Sequence, residues 1–202
     1  MIKTHIDIPK LIKSYNKTGH VLFEDDSKPF NLNIIGVRSA NPETNKFNCR
    51  LIDLWKFEGS WNIFQMQATT LPGLHWLENP MNPKGCAILP EGQHRSKWKV
   101  TKHRGKYDAL CQRLGKVTVF RDGNRDRKYD MVEGTKMEGM FGINIHRAHD
   151  GYELETVNKY SAGCQVIQHP SEYKIHMDIV RQSVKHWGNS FSYTLINEND
   201  LN

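Results

Sequence analysis

Several features of membrane, metal and nucleotide-binding proteins are missing from this sequence. No apolar run among its 202 residues approaches the ~20 residues needed to cross a bilayer, and the first residues, Met1–Asp7, have no apolar signal core. There is no His-Glu-x-x-His zinc motif and no glycine loop that would cradle phosphates. We therefore expect a protein that is made in the cytoplasm without a signal peptide, does not insert into membranes and requires no cofactor.

Cysteine is scarce, and its spacing excludes the common zinc knuckles. The four cysteines are Cys49, Cys86, Cys111 and Cys164, and no two of them form a Cys-x-x-Cys pair. So few cysteines, in a chain of this length without a signal peptide, indicate reduced thiols rather than a disulfide framework. We expect Cys49, in a predicted strand, and Cys111, in a predicted helix, to be core residues.

The chain carries an excess of positive charge. The formal net charge is +6 and the pI is about 9.1, which favours polyanionic partners such as nucleic acid or anionic cell-wall polymers. Lys and Arg are spread along the chain, with denser patches at residues 97–104 and 121–128. Because no nucleic-acid-binding motif accompanies them, the simplest interpretation is a solvated basic surface without a specific nucleic acid partner.

Short strand-like segments separated by turns dominate the pattern. They predict a mainly β (α+β) fold, a sandwich or partly closed barrel with a few packed helices. The predicted helices are 8–15, 106–114 and 171–187, and the predicted strands are 20–24, 31–38, 47–57, 61–68, 87–89, 98–103, 117–120, 141–146 and 191–195. Residues 61–68 do not alternate cleanly, which predicts a strand covered on both faces. We expect residues 1–45 to be an appended N-terminal segment and 46–202 to be the main domain.

The segment from Gly142 to Gln165 carries the strongest chemical signal. His146 ends an alternating, strand-like stretch, and 18 residues later Cys164 follows a Ser-x-Gly turn that begins at Ser161. A free thiol ionises near pH ~8.5, so a nucleophilic cysteine needs a base or backbone N–H groups beside it. The spacing therefore predicts Cys164 as a nucleophile and His146 as its base.

His146 and the Ser161–Cys164 turn resemble the active-site signature of the YkuD-type L,D-transpeptidase catalytic domain. The resemblance implies a β-sandwich-like fold and a cysteine that attacks an amide of the peptidoglycan stem peptide to form a thioester. It assigns Cys164 as the nucleophile, His146 as the base and Ser161 as the small hydroxyl residue of the turn. It also implies that residues 46–202 form the catalytic domain.

The resemblance further implies contacts to the substrate and its oxyanion. Backbone N–H groups around Gly163 and Cys164 would form the oxyanion hole, and we assign Arg147 and Gln165 to the same oxyanion and substrate group. Two positions depart from the family pattern, since Arg147 replaces the usual glycine after the histidine and Val166 replaces the usual arginine two places after the cysteine. Arg147 could supply the missing cation.

Three hypotheses for the function follow. The segment 87–93 resembles a stretch found in small phage-associated relatives, which indicates a bacteriophage origin and either release at host lysis or a place in the virion. The first hypothesis is a cysteine enzyme acting on peptidoglycan peptide, hydrolytic like a phage lysin or otherwise a transpeptidase. The second is a non-catalytic cell-wall-binding or virion structural protein on the same fold, with other virion proteins as partners. The third is a cysteine protease or amidase with a protein substrate.

A second constellation has the spacing of a calcium-binding loop. Oxygen-bearing side chains occupy loop positions 1, 3, 5, 9 and 12, as in an EF-hand; they belong to Asp122, Asn124, Asp126, Asp130 and Glu133. Position six, usually glycine, is Arg127, and the loop also carries further cations that oppose a dication. A structural Ca²⁺ and a solvated, Asx-rich turn are the two interpretations.

Overall fold

The computed structural model describes residues 5–202, and eight of its eleven strands close into a barrel. The strands are β1 (Asn33–Arg38), β2 (Cys49–Phe57), β3 (Ser60–Thr69), β4 (Cys86–Ile88), β5 (Gly92–His103), β6 (Tyr107–Gln112), β7 (Val117–Asp122), β8 (Met137–Gly139), β9 (Ile145–Arg147), β10 (Gln165–Ile167) and β11 (Phe191–Asn197). The order around the barrel is β1-β11-β5-β6-β9-β10-β3-β2, and β4-β7-β8 form a second, small sheet. The prediction of a mainly β fold with few helices is confirmed, and the barrel is fully closed.

Within residues 5–202, three α-helices and three short 3₁₀ segments accompany the sheets. The helices are α1 (Ile8–Thr18), α2 (Leu74–Glu78) and α3 (Pro170–Trp187), and the 3₁₀ segments are Glu133–Thr135, Asn158–Tyr160 and Glu198–Leu201. Asp7 caps α1 by accepting a hydrogen bond from the Lys10 N–H at 2.9 Å. Within residues 5–202 no helix is both long enough and apolar enough to span a membrane.

The barrel strands are covered on both faces. One cluster of buried apolar side chains draws on all eight barrel strands and includes one face of α3, so it fills the barrel interior. A second cluster packs α1 against the outside of β1 and β2. Strand β3 follows this division, because Met66 belongs to the interior cluster while Trp61 and Ile63 pack against the outer one. The prediction that this strand is covered on both faces is confirmed.

The N-terminal residues contribute to the barrel itself. Residues 33–38, within the predicted appended segment, form β1, which pairs antiparallel with β2 and parallel with β11. Leu11 and Tyr15 of α1 are fully buried in the outer cluster. This part of the segment is therefore integral to the barrel, because without β1 the sheet would have an open edge between β2 and β11.

The helix predicted at residues 106–114 is wrong, and these residues form strand β6. Arg104 and Gly105 both have positive φ, at 49° and 72°, and they reverse the chain between β5 and β6. The two strands then pair from His103↔Tyr107 to Trp98↔Gln112. Cross-strand pairing thus overrides the local helical pattern.

Two further predicted strands are replaced by extended chain that bonds to side chains. At residues 20–24, the Val21 N–H donates to Gln93 Oε1 and the Phe23 N–H donates to Asn33 Oδ1, so no neighbouring strand is needed. At residues 141–146, only the end is a strand, because the backbone N–H groups of 141 and 143 donate to the Gln112 side chain. Amide side chains satisfy this backbone as a sheet would.

Candidate thiol site

Strands β9 and β10 bring the two predicted catalytic residues to one face of the barrel. They run parallel, with His146 in register with Val166. Side chains in register share a face and alternate along each strand. Ile145 and Ile167 point into the interior cluster, so His146 and Val166 face outward. Cys164 lies two residues before Val166 and packs against the same outer cluster, which makes Cys164 and His146 diagonal neighbours on that face.

The turn that carries Cys164 is held by Ser161. The Ser161 hydroxyl donates to the Cys164 carbonyl at 2.8 Å and accepts from the Gly163 N–H at 3.2 Å. Gly163 has φ +124°, and a Cβ there would lie 2.3 Å from the carbonyl oxygen of Ala87 in β4. The turn therefore requires glycine both for its backbone conformation and for its contact with the second sheet.

A buried chain of polar groups supports the turn from inside the barrel. Gln165 is fully buried; its amide donates to the Gly163 carbonyl at 3.3 Å, and its oxygen accepts from the Tyr193 hydroxyl at 2.9 Å. Gly36 makes room for that hydroxyl, since a Cβ at Gly36 would lie 1.8 Å from it. The sequence assigned Gln165 to oxyanion or substrate contacts. Its side chain instead faces the interior, because Cys164 and Val166 on either side of it face outward and side chains alternate along a strand.

The Cys164 thiol is half-buried and protonated at rest. It donates to the Gly142 carbonyl at 3.4 Å, and a backbone hydrogen bond from Asn144 reaches the sulfur. Burial raises the pKa of the thiol to about 11, although the Asn144 N–H works in the opposite direction. All four cysteines are free thiols, and the other three are buried.

His146 is buried and held in one tautomer. Its Nδ1 lies 2.8 Å from the Arg147 carbonyl oxygen, which can only accept, so Nδ1 carries the proton. The Nε2 lone pair is then free to act as a base. The ring also stacks on His103, with centroids 4.3 Å apart and planes inclined by 25°. Burial first, and then the neighbouring His103, lower the pKa of His146 to about 3.

His103 and Asn144, which the sequence did not indicate, support His146: His103 stacks on its ring, and Asn144 orients His103. Burial lowers the pKa of His103 to about 4, and its Nδ1 accepts from the Asn144 amide at 3.1 Å. Asn144 is itself oriented, since its Oδ1 accepts from the Gln112 N–H at 3.0 Å. The pairing of β6 with β9 brings these residues together, and the prediction of a helix at residues 106–114 concealed it.

A basic cavity of about 670 Å³ opens beside His146. Arg147 lies at its wall, where its guanidinium covers the Tyr107 ring at 4.1 Å and pairs with Asp150 at 2.9 Å. Further cationic and imidazole side chains and one tryptophan of α2 also line the cavity; they include Arg104, Lys106, Lys159, His103, His149 and Trp76. The excess of cations over carboxylates favours an anionic ligand.

The predicted calcium residues lie together in the loop after β7 but bond to one another and to nearby backbone. Asp122 and Asp126 accept from the N–H groups of residues 130 and 128 at 3.1 and 2.9 Å, and the Asn124 amide donates to Asp130 at 2.5 Å. Glu133 instead pairs with Lys136 at 2.7 Å. Among residues 5–202, no group of three or more His, Cys, Asp or Glu side chains is arranged to hold a metal ion. The bonding is that of an Asx-rich turn, and calcium binding stays a prediction.

The same loop braces the wall of the basic cavity. The Arg127 guanidinium donates to Glu78 of α2 at 2.6 Å, and the Tyr129 hydroxyl donates to the Pro72 carbonyl at 3.1 Å. Trp76 of α2 lines the cavity. The loop therefore positions one side of the site without entering it.

Comparisons with protein-family models, curated proteins and solved structures found no match to this chain. The similarity to L,D-transpeptidase catalytic domains therefore rests on the residues of the signature, and it stays a prediction.

Proposed function

We propose that this chain is a cysteine-dependent acyl-transfer enzyme acting on peptidoglycan stem peptides, with hydrolysis as its main outcome. The observation that carries the proposal is the parallel pairing of β9 with β10, which makes Cys164 and His146 diagonal neighbours on the outer face of the barrel. The basic cavity lies next to His146. A nucleophile, a base in the correct tautomer and an anion-attracting cavity are the parts that such a reaction needs.

The proposed reaction has two steps. His146 Nε2 removes the thiol proton as Cys164 Sγ attacks the amide carbonyl carbon, and the Cys164 N–H is the donor nearest the developing oxyanion. The C–N bond breaks, the amine leaves with the proton from His146, and a thioester remains. Water then attacks the thioester to release a carboxylic acid and restore the thiol. An amine acceptor in place of water would form a new amide.

The oxyanion hole has fewer hydrogen-bond donors in this proposal than the sequence signature implies. The Gly163 N–H is committed to the Ser161 hydroxyl, which leaves it unable to donate fully to an oxyanion. Ser161 and Gly163 thus act as positioning residues that aim the Cys164 N–H and sulfur.

Both catalytic groups are neutral in the resting protein. Burial raises the pKa of Cys164 to about 11 and lowers that of His146 to about 3, so a thiolate–imidazolium pair is not the ground state. Proton transfer accompanies the attack, as in a serine hydrolase, and does not precede it.

The charge of the cavity fits a stem peptide, which carries free carboxylates. Arg147, Arg104 and Lys159 are available around it, and Arg147 is the cation nearest the base in sequence. We propose that Arg147 holds a substrate carboxylate, in competition with its present partner Asp150.

A non-catalytic wall-binding or virion role on the same fold is the second candidate. The observation that favours it is the thiol itself, which is protonated and already donates to the Gly142 carbonyl. Such a protein would use the basic cavity for binding alone.

Product analysis separates the two candidates. Purified peptidoglycan fragments are incubated with wild type, Cys164→Ala and His146→Gln, and the peptides are resolved by mass spectrometry. New products are expected from wild type and none from Cys164→Ala, while the rate should fall about 10²–10⁴-fold in His146→Gln. Cys49→Ala, which removes a buried thiol in β2, is the matched control and should keep its activity. Unchanged fragments with folded wild type would favour the binding role.

A panel of unrelated peptides tests the substrate class in the same assay. Cleavage of these peptides at rates similar to those of stem peptides would instead indicate a general cysteine protease or amidase.

A further inference from the structure

A second cavity borders the same thiol turn. It has a volume of about 320 Å³ and is lined by Ala162 of the turn, by residues of β4 and β7, and by side chains from the loops around them. Tyr160, on the other side of Ser161, lines the basic cavity, and Trp76 lines both cavities. The turn that carries Cys164 therefore lies between two cavities.

The second cavity is lined by polar and apolar groups in similar measure and has one buried cation. Arg121 of β7 is the charged residue among its lining residues and is 9% exposed. Its guanidinium lies 4.5 Å from the centroid of the Phe141 ring. The remaining walls include Met81, Met140 and Ala87, and flexible methionine side chains adapt readily to small ligands.

The hydrogen bonding of Arg121 is incomplete. One terminal nitrogen donates to the Gly85 carbonyl at 3.2 Å, whereas the buried Nε–H has no hydrogen-bond partner among residues 5–202. The guanidinium also has no carboxylate within ion-pair distance in that range. A buried guanidinium without an anion is costly to maintain, because desolvation of the charge is not compensated.

From these observations, we infer that the second cavity is a subsite for a chain-terminal carboxylate, with Arg121 as the group that binds it. The planar guanidinium suits a carboxylate, and the methionine and alanine side chains of the lining suit a small side chain next to it. A volume near the lower end of the range for ligand pockets favours a single small residue over a long peptide. The inference rests on the proposed function, since it makes this cavity the second of two peptide-binding subsites flanking Cys164.

The test measures binding directly, without turnover. The full chain is labelled with ¹³C at its methionine methyl groups and titrated with each enantiomer of N-acetylalanine, a minimal chain-terminal carboxylate. The Met81 and Met140 signals should shift, while Met131, which is not among the lining residues of this cavity, should not. The neutral N-acetylalaninamide should bind with an affinity at least about tenfold lower, because it lacks the charged acceptor.

Substitution of the cation provides the second arm. Arg121→Gln should lower the affinity for N-acetylalanine to that for the amide. Arg125→Gln removes the same charge from an exposed loop position and should leave the affinity for N-acetylalanine unchanged. Equal binding of the acid and the amide to wild type would overturn the inference, as would the absence of shifts at Met81 and Met140. The comparison of the two ligands on wild type holds even if Arg121→Gln fails to fold.

The outcome is independent of catalysis. If Cys164 forms no acyl adduct but the acid binds through Arg121, the proposed reaction fails and the subsite stands. If the enzyme turns over and the acid does not bind here, the subsite alone fails.

Discussion

At the scale of single residues, the position of the thiol depends on a few small side chains. Ser161 closes the turn with two hydrogen bonds, and Gly163 fits a backbone conformation and a contact that a Cβ would prevent. Gln165 holds the turn from beneath. The position of Cys164 is thus set by neighbouring residues of its turn and of β10.

Ser161→Ala should cost about 1–3 kcal/mol of unfolding free energy, because a buried hydroxyl that makes two hydrogen bonds is lost. It should also slow alkylation of Cys164 or the proposed turnover, and Ser161→Thr should restore much of both. Urea unfolding and iodoacetamide kinetics measure the two effects. Ser14→Ala is the control: the Ser14 hydroxyl is buried without a hydrogen-bond partner among residues 5–202, so its removal should be neutral or stabilising. Equal costs at the two positions would contradict the role of Ser161.

The resting thiol should react slowly at neutral pH. Since burial raises the pKa of Cys164 to about 11, its alkylation by iodoacetamide should rise about tenfold per pH unit from pH 7 to 10, as the thiolate fraction grows. Peptide mapping assigns the modified cysteine. A rate that is already at its plateau near pH 7 would indicate a thiolate–imidazolium pair and contradict the neutral resting state.

Residue patterns placed the two candidate residues in one segment but did not predict their surroundings. The signature places His146 and Cys164 within one segment, and the structure brings them to one face. The direction of Gln165 could not be predicted, because it depends on the register of β10 in a barrel whose neighbours are distant in sequence. His103 was missed for the same reason: it reaches His146 only through pairing between β5, β6 and β9.

At the scale of elements, the parallel pair β1 and β11 supports the thiol turn from across the barrel. Gly36 in β1 lies opposite Leu195 in β11, and the Tyr193 hydroxyl fills the space where a Gly36 side chain would lie. That hydroxyl donates to Gln165, which in turn bonds the turn. The strands were largely predictable from their β-branched and aromatic residues, whereas this cross-barrel contact was not.

Gly36→Ala should destabilise the barrel by about 1–3 kcal/mol, because the new methyl group overlaps the Tyr193 ring. Tyr193→Phe alone removes the bond to Gln165 and should cost about 1–2 kcal/mol. The double variant should be more stable than the sum of the two costs implies, since the lost hydroxyl is what the methyl group overlaps most. Chemical denaturation of all four proteins gives the coupling, and strictly additive costs would contradict this contact.

At the scale of the whole molecule, two histidines on the outer side of the closed barrel, His146 and His103, are buried beneath neighbouring segments and are neutral. The pKa values of His146 and His103 fall to about 3 and about 4 in the folded state, below the value near 6.5 of an unfolded histidine. The closed barrel itself matched the predicted class, because short alternating strands with frequent turns leave few other architectures. Closure through β1 was not predicted, since we expected residues 1–45 to be an appended segment.

Stability should fall on acidification. Above pH ~6.5 both histidines are neutral in the folded and unfolded states, so they add no pH dependence. Below it, the unfolded chain binds protons that the folded protein excludes, so each histidine removes up to about 1.4 kcal/mol per pH unit until its folded pKa is reached. His103→Gln should therefore lose stability less steeply than wild type between pH 6.5 and about 4.

Urea unfolding at several pH values tests this expectation. His186→Gln, an exposed position at the end of α3, should follow the wild-type curve. Parallel curves for wild type and His103→Gln would show that burial of His103 does not contribute to acid sensitivity.

The central claim, that Cys164 is a nucleophile that becomes acylated, is tested most directly by trapping the thioester. Wild type, Cys164→Ala and Cys49→Ala are mixed with a soluble stem tetrapeptide, quenched in acid within the first turnovers, and analysed by intact mass and peptide mapping. We expect an adduct with the mass of the acyl fragment on Cys164 in wild type and Cys49→Ala, and none in Cys164→Ala. Folded wild-type protein that releases no product and carries no adduct, or an adduct on another residue, would contradict it.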